Sequence, residues 1–336
     1  MVRLLGHDAG GYQKTRPGAG RRLRDDGRWG QLCERGEAPM TKPCLFLAAI
    51  LCALPATGEQ SEFTNVIAVI GGTTIDRRSQ GAYLDTNDSI ENDGSVIIET
   101  SAGSSPTLYK LRYQGVPFYY VRFHGYATAD DSLDTNGQNF VRMFAAFHEL
   151  GVTHIIGGAT SGGILENQQQ GDLIVSDDFL NFNYERPSSI LAAAAIERPG
   201  VFPRYNPPFC PDIRKILYAI AADIYPGRVS PTGTVVQDDP SRFETPAEIR
   251  MYRTLGGDHV SHNVVTEAIY ARQLGMHFAV LDSVSNPAEG VRSFTRGTIR
   301  TTGDAIARGA IPVVLKAVVE LSRLSPACGT TCIGEH

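Results

Sequence analysis

The sequence predicts an α/β domain: a single domain with a mixed central β-sheet flanked by helices. Three observations carry this. Short apolar runs such as "NVIAVI" (65–70) and "VTHIIGGA" (152–159) have the length and β-branched content of buried strands. Helical spacing recurs between them, over Gln138–Leu150 and in "CPDIRKILYAIAADIY" (210–225), where proline occupies the first turn. Strand and helix signals then alternate from Asn65 onward, with no internal repeat and no interdomain linker.

The elements follow in order. After the first strand, residues 82–123 contain several strand-like runs separated by Asn, Asp and Gly turns, and the helix over 138–150 stops at Gly151. "GDLIVSDDFL" (171–180) reads as one strand and "GTVVQ" (233–237) as another. "TPAEIRMYRTLG" (245–256) is a helix with a threonine cap and proline at its first position, "GDHVSHNVVT" (257–266) a turn, and "EAIYARQLG" (267–275) a helix. The strand "HFAVLDSVS" (277–285) and a long helix over 303–324 complete the series.

The chain has 336 residues, 42% of them hydrophobic, enough for a substantial core. Its first 39 residues, rich in Arg and Gly ("RPGAGRRLRDDGRWG"), lack the aliphatic runs a core needs and are expected to be disordered or untranslated. "MTKPCLFLAAILCALPATGEQ" then has the layout of a secretory signal peptide over 40–58: a basic start, a short apolar run and small residues before Glu59. That run is too short for a comfortable permanent bilayer anchor. The expectation is a secreted or periplasmic protein with its domain over 59–326, a tail over 327–336, and no membrane association after cleavage. Without residues 1–58 the chain holds 22 basic and 31 acidic residues. No basic stripe remains to suggest nucleic-acid binding. Cys210, Cys328 and Cys332 remain; the last two either close a small loop in an oxidising compartment or stay as free thiols.

Candidate site residues gather at strand ends, where loops present polar groups. "IGGTTID" (70–76) has glycines whose backbone N–H groups can converge on an anion, with Thr73 adding a hydroxyl, though it is neither a Walker loop nor a dinucleotide fingerprint. "YVRFHGY" (120–126) sets Arg122 and His124 on one side of a strand end, a guanidinium and an imidazole suited to phosphate oxygens. "GATSGGI" (158–164) lets backbone approach a ligand. Taken alone, each is better explained structurally, as a tight turn, an exposed strand-end pair and a strand-to-turn glycine pair in that order. "SRFETPAEIRMYRTLGGD" (241–258) is more specific, because it leaves Phe243 and Glu244 at a loop mouth, an aromatic to stack on a heterocycle beside a carboxylate to accept its N–H. Asn286, before Pro287, offers a carboxamide that both donates and accepts.

These motifs, together with "LGVTHIIGGATSGGI", "GDLIVSDDFLNF", "PPFCP" and "VSNPAEGV", resemble the trimeric purine nucleoside phosphorylases and their methylthioadenosine phosphorylase relatives over about residues 65–290. The resemblance implies that Thr73, Arg122, His124 and the Ser161 backbone hold inorganic phosphate, with Asn263 standing where the family has a small hydroxyl residue. It puts Tyr126 near the ribose, Phe243 on the base, Ser161 and Gly162 along the nucleoside, and His262 where the family usually has methionine beneath the sugar. Glu244 and Asn286 would read the purine edge in the 6-oxopurine manner, and with His124 they would carry catalysis. Thr74 stands where the family has glycine. The implied reaction is phosphorolysis of inosine or guanosine to free base and ribose 1-phosphate by a homotrimer, with phosphate as co-substrate and no cofactor or metal. Phosphate-independent hydrolysis, methylthio-nucleoside phosphorolysis and nucleoside binding without turnover stand as alternatives.

Overall fold

The computed structural model describes residues 65–77, 80–124, 127–128, 137–198 and 202–325. The expected extension, signal peptide and C-terminal cysteines lie outside these residues, as does Tyr126.

In chain order the first half contains β1 (Ile67–Ile70), β2 (Glu91–Val96), β3 (Glu99–Thr100), β4 (Gly103–Ser104), β5 (Leu108–Tyr113), β6 (Val116–Val121), β7 (Phe123–His124), β8 (Ala127–Thr128), α1 (Gln138–Glu149) and β9 (His154–Gly163). The second half contains β10 (Leu173–Ile174), β11 (Asp178–Asn181), α2 (Ile190–Ala193), α3 (Pro211–Ile224), β12 (Val229–Ser230), β13 (Thr234–Gln237), α4 (Pro246–Thr254), β14 (His259–Ser261), α5 (Val264–Leu274), β15 (His277–Pro287) and α6 (Arg296–Ser322).

The main sheet runs β11-β13-β14-β9-β1-β6-β5-β2, with β15 along β9 and β10 and β12 beyond it. It is mixed. β1 lies parallel to both β6 and β9, and β15 is parallel to β9, whereas β14 meets β9 antiparallel and β5 joins β6 and β2 antiparallel. β1 is buried along its whole length because alternate residues feed opposite cores. Ala68 and Ile70 pack into the cluster containing α1 and α5 residues, Ile67 and Val69 into the one containing α3 and α6 residues.

Three local readings are corrected by the structure, two of them through strand pairing. The stretch read as a turn over 257–266 contains β14 and the first turn of α5, because His259 and Val260 find strand partners on both sides. "GDLIVSDDFL" divides, its first half pairing with β12 and β15 and its second with β13. The last helix begins at Arg296 rather than Gly303, with Thr295 as its cap: its hydroxyl accepts from the Thr298 N–H at 3.2 Å.

Candidate active site

The cavity follows from the way β9 changes partner. Its first residues pair with β1 up to Ile70↔Gly157, and its last pair on β14 at Gly162 and Gly163. Between them Gly158–Ser161 borders a fork, and there a cavity of about 840 Å³ opens. Gly72 and Thr73 come from the end of β1, Val260, His262 and Asn263 from β14 and the turn beyond it. Ligand sites at such changes of strand order are a general property of open α/β sheets. The crossing requires glycine twice: a Cβ on Gly72 would collide with the Gly158 carbonyl oxygen, and one on Gly158 with Ile75.

A β-bulge supplies the next wall. β15 tracks β9 until the register shifts between Val284 and Asn286, so that Val284 opposes Ser161 while Asn286 opposes Gly162. The extra residue re-aims the strand, and Ser285 and Asn286 both line the cavity. Ser285 donates to Asn286 Oδ1 at 2.7 Å, and Asn286 Nδ2 donates to the Pro287 carbonyl at 2.9 Å. These bonds fix the carboxamide and leave it one N–H and one lone pair for a ligand.

The loop between β13 and α4 brings Phe243 and Glu244. The following helix is held by a capping box, in which Thr245 accepts from the Glu248 N–H at 3.2 Å and donates its own N–H to Glu248 Oε2 at 2.7 Å. Arg242 donates to both Glu248 oxygens, at 2.8 and 2.7 Å. Phe243 stays 42% exposed, edge-on to Phe294 with ring centroids 5.9 Å apart. Glu244 is buried; burial first, then the neighbouring Asp238, raise its pKa to about 7.

Beneath Ser161 lies a buried polar network. Ser176 donates to Asp282 Oδ2 at 2.6 Å, His259 Nε2 approaches the same oxygen at 3.1 Å, and Ser161 reaches Oδ1 at 3.5 Å. It ties β9, β14 and β15 together under the cavity floor. Thr74 belongs to the same interior. Its hydroxyl donates to the Ala159 carbonyl and contacts Ser283 Oγ at 2.6 Å, so the threonine in place of glycine serves packing between strands and does not face the cavity.

Of the residues singled out in the sequence, Thr73, Ser161, Gly162 and Phe243 line this cavity. Glu244, His262, Asn263 and Asn286 complete the group. Asn263 is nonetheless committed: Nδ2 donates to Glu267 at 2.7 Å and Oδ1 accepts from Ser261 at 3.2 Å. Arg122 is not brought in. β6 ends at Val121 and Phe123 lines the cavity, so its neighbour faces elsewhere; the Arg122 guanidinium donates twice to Asp85 and lies 4.2 Å from the Tyr83 ring centroid. Of the expected Arg122–His124 pair, Arg122 is thus committed to Asp85, and the His124 side chain lies outside the described residues. The described part of His124 is its backbone, paired with Ala127.

The sequence reading missed Arg300 and Asp304, which enter the cavity from the first turns of α6. A Cβ on Gly303 would meet the Thr73 methyl at 2.9 Å, so this end of α6 abuts the loop after β1. Among the described residues, Arg300 is a lining cation with no ion-pair partner, whereas Arg242 is held by Glu248. Only the start of the helix, misjudged from sequence, would have revealed it. Asp238, beside Glu244 and His262, was also missed.

Fold and cavity together define an α/β domain with a candidate site at a strand-order switch. The model of the phosphorylase superfamily matches residues 90–316. A Dictyoglomus turgidum protein named as a probable 6-oxopurine nucleoside phosphorylase is 31% identical over 67% of this chain and 79% of its own length. A probable S-methyl-5′-thioinosine phosphorylase of Methanothermobacter thermautotrophicus is 32% identical over 67% of this chain and 73% of its own. A Schistosoma mansoni adenosine/methylthioadenosine phosphorylase mutant, solved with methylthioadenosine, superposes with a TM-score of 0.67 at 19% identity, covering 80% of this chain and 96% of that one, a likeness of fold. This chain belongs to the phosphorylase superfamily, in its branch of purine nucleoside and methylthioadenosine phosphorylases.

Proposed function

We propose that this protein is a pentosyltransferase that cleaves purine nucleosides with phosphate, giving free base and ribose 1-phosphate, and that it prefers 6-oxopurines such as inosine and guanosine. The observation that carries this reading is the joint presence of Phe243, Glu244 and Asn286 in one cavity with Thr73 and the Ser161–Gly162 backbone. An aromatic face, a carboxylate and a carboxamide suit a purine; hydroxyl and glycine backbone suit an anion.

In the reaction a phosphate oxygen forms a bond to C1′ as the bond from C1′ to the purine nitrogen breaks, through an oxocarbenium-like state. The phosphate charge stabilises the sugar cation and the same group captures it. Electrons from the broken bond go to the purine. Asn286 hydrogen-bonds the ring as that charge grows, while Glu244 as carboxylate accepts N1–H. A 6-oxopurine has that proton and adenine lacks it, so the wrong base would leave a buried acceptor unpaired.

The same reading includes a homotrimer and a secreted or periplasmic location. The location rests on the signal-like sequence over 40–58. The trimer rests on family resemblance, with Tyr184 and Phe202, 81% and 92% exposed, as apolar surface for a partner subunit to cover. Base release from inosine, with phosphate varied, tests the central claim. Release that requires phosphate and yields ribose 1-phosphate supports it, and release at full rate without phosphate replaces it with hydrolysis.

A further inference from the structure

We propose that Asp238, Glu244 and His262 form a binding site for a divalent transition-metal cation of the zinc class in the wall of the cavity. The three residues reach one point through the sheet. β13 and β14 pair at Gln237↔Ser261, so Asp238 and His262 are the next residues beyond two adjacent strand ends, and the loop after Asp238 returns Glu244 to the same place. One ligand atom from each residue lies within 4.8 Å of the other two. Arg186 donates to the His262 carbonyl and pins the backbone that carries the ring.

A second observation points to a cation. Asp238 is 3% exposed, and its Oδ2 is buried without a hydrogen-bond partner. His262 Nδ1 stands 2.9 Å from Asp238 Oδ1, an ion-pair contact inside the cluster that leaves Oδ2 unanswered. Buried polar atoms are rarely left this way.

Two carboxylates and one imidazole suit zinc-class ions; magnesium and calcium prefer all-oxygen sets. Because Glu244 also reads the base, cation and nucleoside exclude one another, a consequence that rests on the proposed function although cation binding itself does not.

The test is calorimetric titration of zinc into chelator-treated full-length protein in phosphate-free buffer, for wild type, Asp238→Asn and His262→Gln. Cobalt(II) absorption identifies the donor atoms, and circular dichroism verifies that each variant folds. The expected result is one zinc per chain, a cobalt spectrum without a thiolate band, and affinity weakened by more than about 10-fold in each folded variant, the loss that even outer-sphere partners produce. No zinc binding by the wild type, unchanged affinity in the variants, or a thiolate spectrum assigning the ion to cysteines would overturn the site. If a variant fails to fold, Glu244→Gln gives the same readout. Zinc binding that inosine does not displace would leave the cation site standing and remove Glu244 from base recognition.

Discussion

Arg122 donates to both carboxylate oxygens of Asp85, with Nε to Oδ1 at 2.9 Å and Nη2 to Oδ2. The pair links the residue after β6 to the short turn Leu84–Thr86 and stacks between the rings of Tyr83 and Tyr109. It therefore has a structural role at the place where the sequence suggested an anion. Arg122→Ala leaves the Asp85 carboxylate buried without its partner, and should lower the unfolding free energy by about 2 kcal/mol. Combining it with Asp85→Ala should cost less than the sum of the single changes; strict additivity in denaturant unfolding would show that the pair is energetically idle.

Arg300 is the lining cation that no carboxylate neutralises among the described residues, and its helix abuts the Thr73 loop. Arg300→Ala should raise the KM for phosphate by about 10-fold, the worth of one charge-assisted hydrogen bond. The KM for inosine should change little. Steady-state kinetics with each substrate varied separates the two, and an effect confined to the nucleoside would assign Arg300 to the sugar side.

Glu244 must be ionised to accept N1–H, and burial together with Asp238 holds its pKa near 7. The kcat/KM for inosine should thus rise with pH through about 7 and level off above it, since the protonated acid cannot accept that bond. Glu244→Gln should remove this step and lower kcat/KM by about 100-fold. A flat pH profile in the wild type would contradict the assignment.

Glu267 is fully buried, accepts from Asn263 at 2.7 Å on Oε1 and leaves Oε2 without a partner; burial raises its pKa from 4.5 to about 7. The folded state therefore keeps a proton that the unfolded chain has already lost between those values. Stability from this group is greatest below pH 4.5 and falls as pH rises to about 7, by roughly 3 kcal/mol. Glu267→Gln should flatten that part of the stability profile, which thermal unfolding across pH would measure.

Local sequence determined much of the framework. β1, β9 and β15 announce themselves as apolar runs, α3 and α4 carry proline at the first turn, and Thr245 with Glu248 writes its own cap. The glycines at 72 and 158 are also fixed by sequence, because only glycine permits that crossing. Only the tertiary structure decided what faces the cavity. β14 looked like a turn because three residues become a strand only when β13 and β9 flank them. Arg122 was drawn away by Asp85, far off in the chain, while Arg300 and Asp238 entered through a helix start and a strand end. Which way a charge turns depends on partners distant in sequence, and a one-dimensional pattern does not contain them.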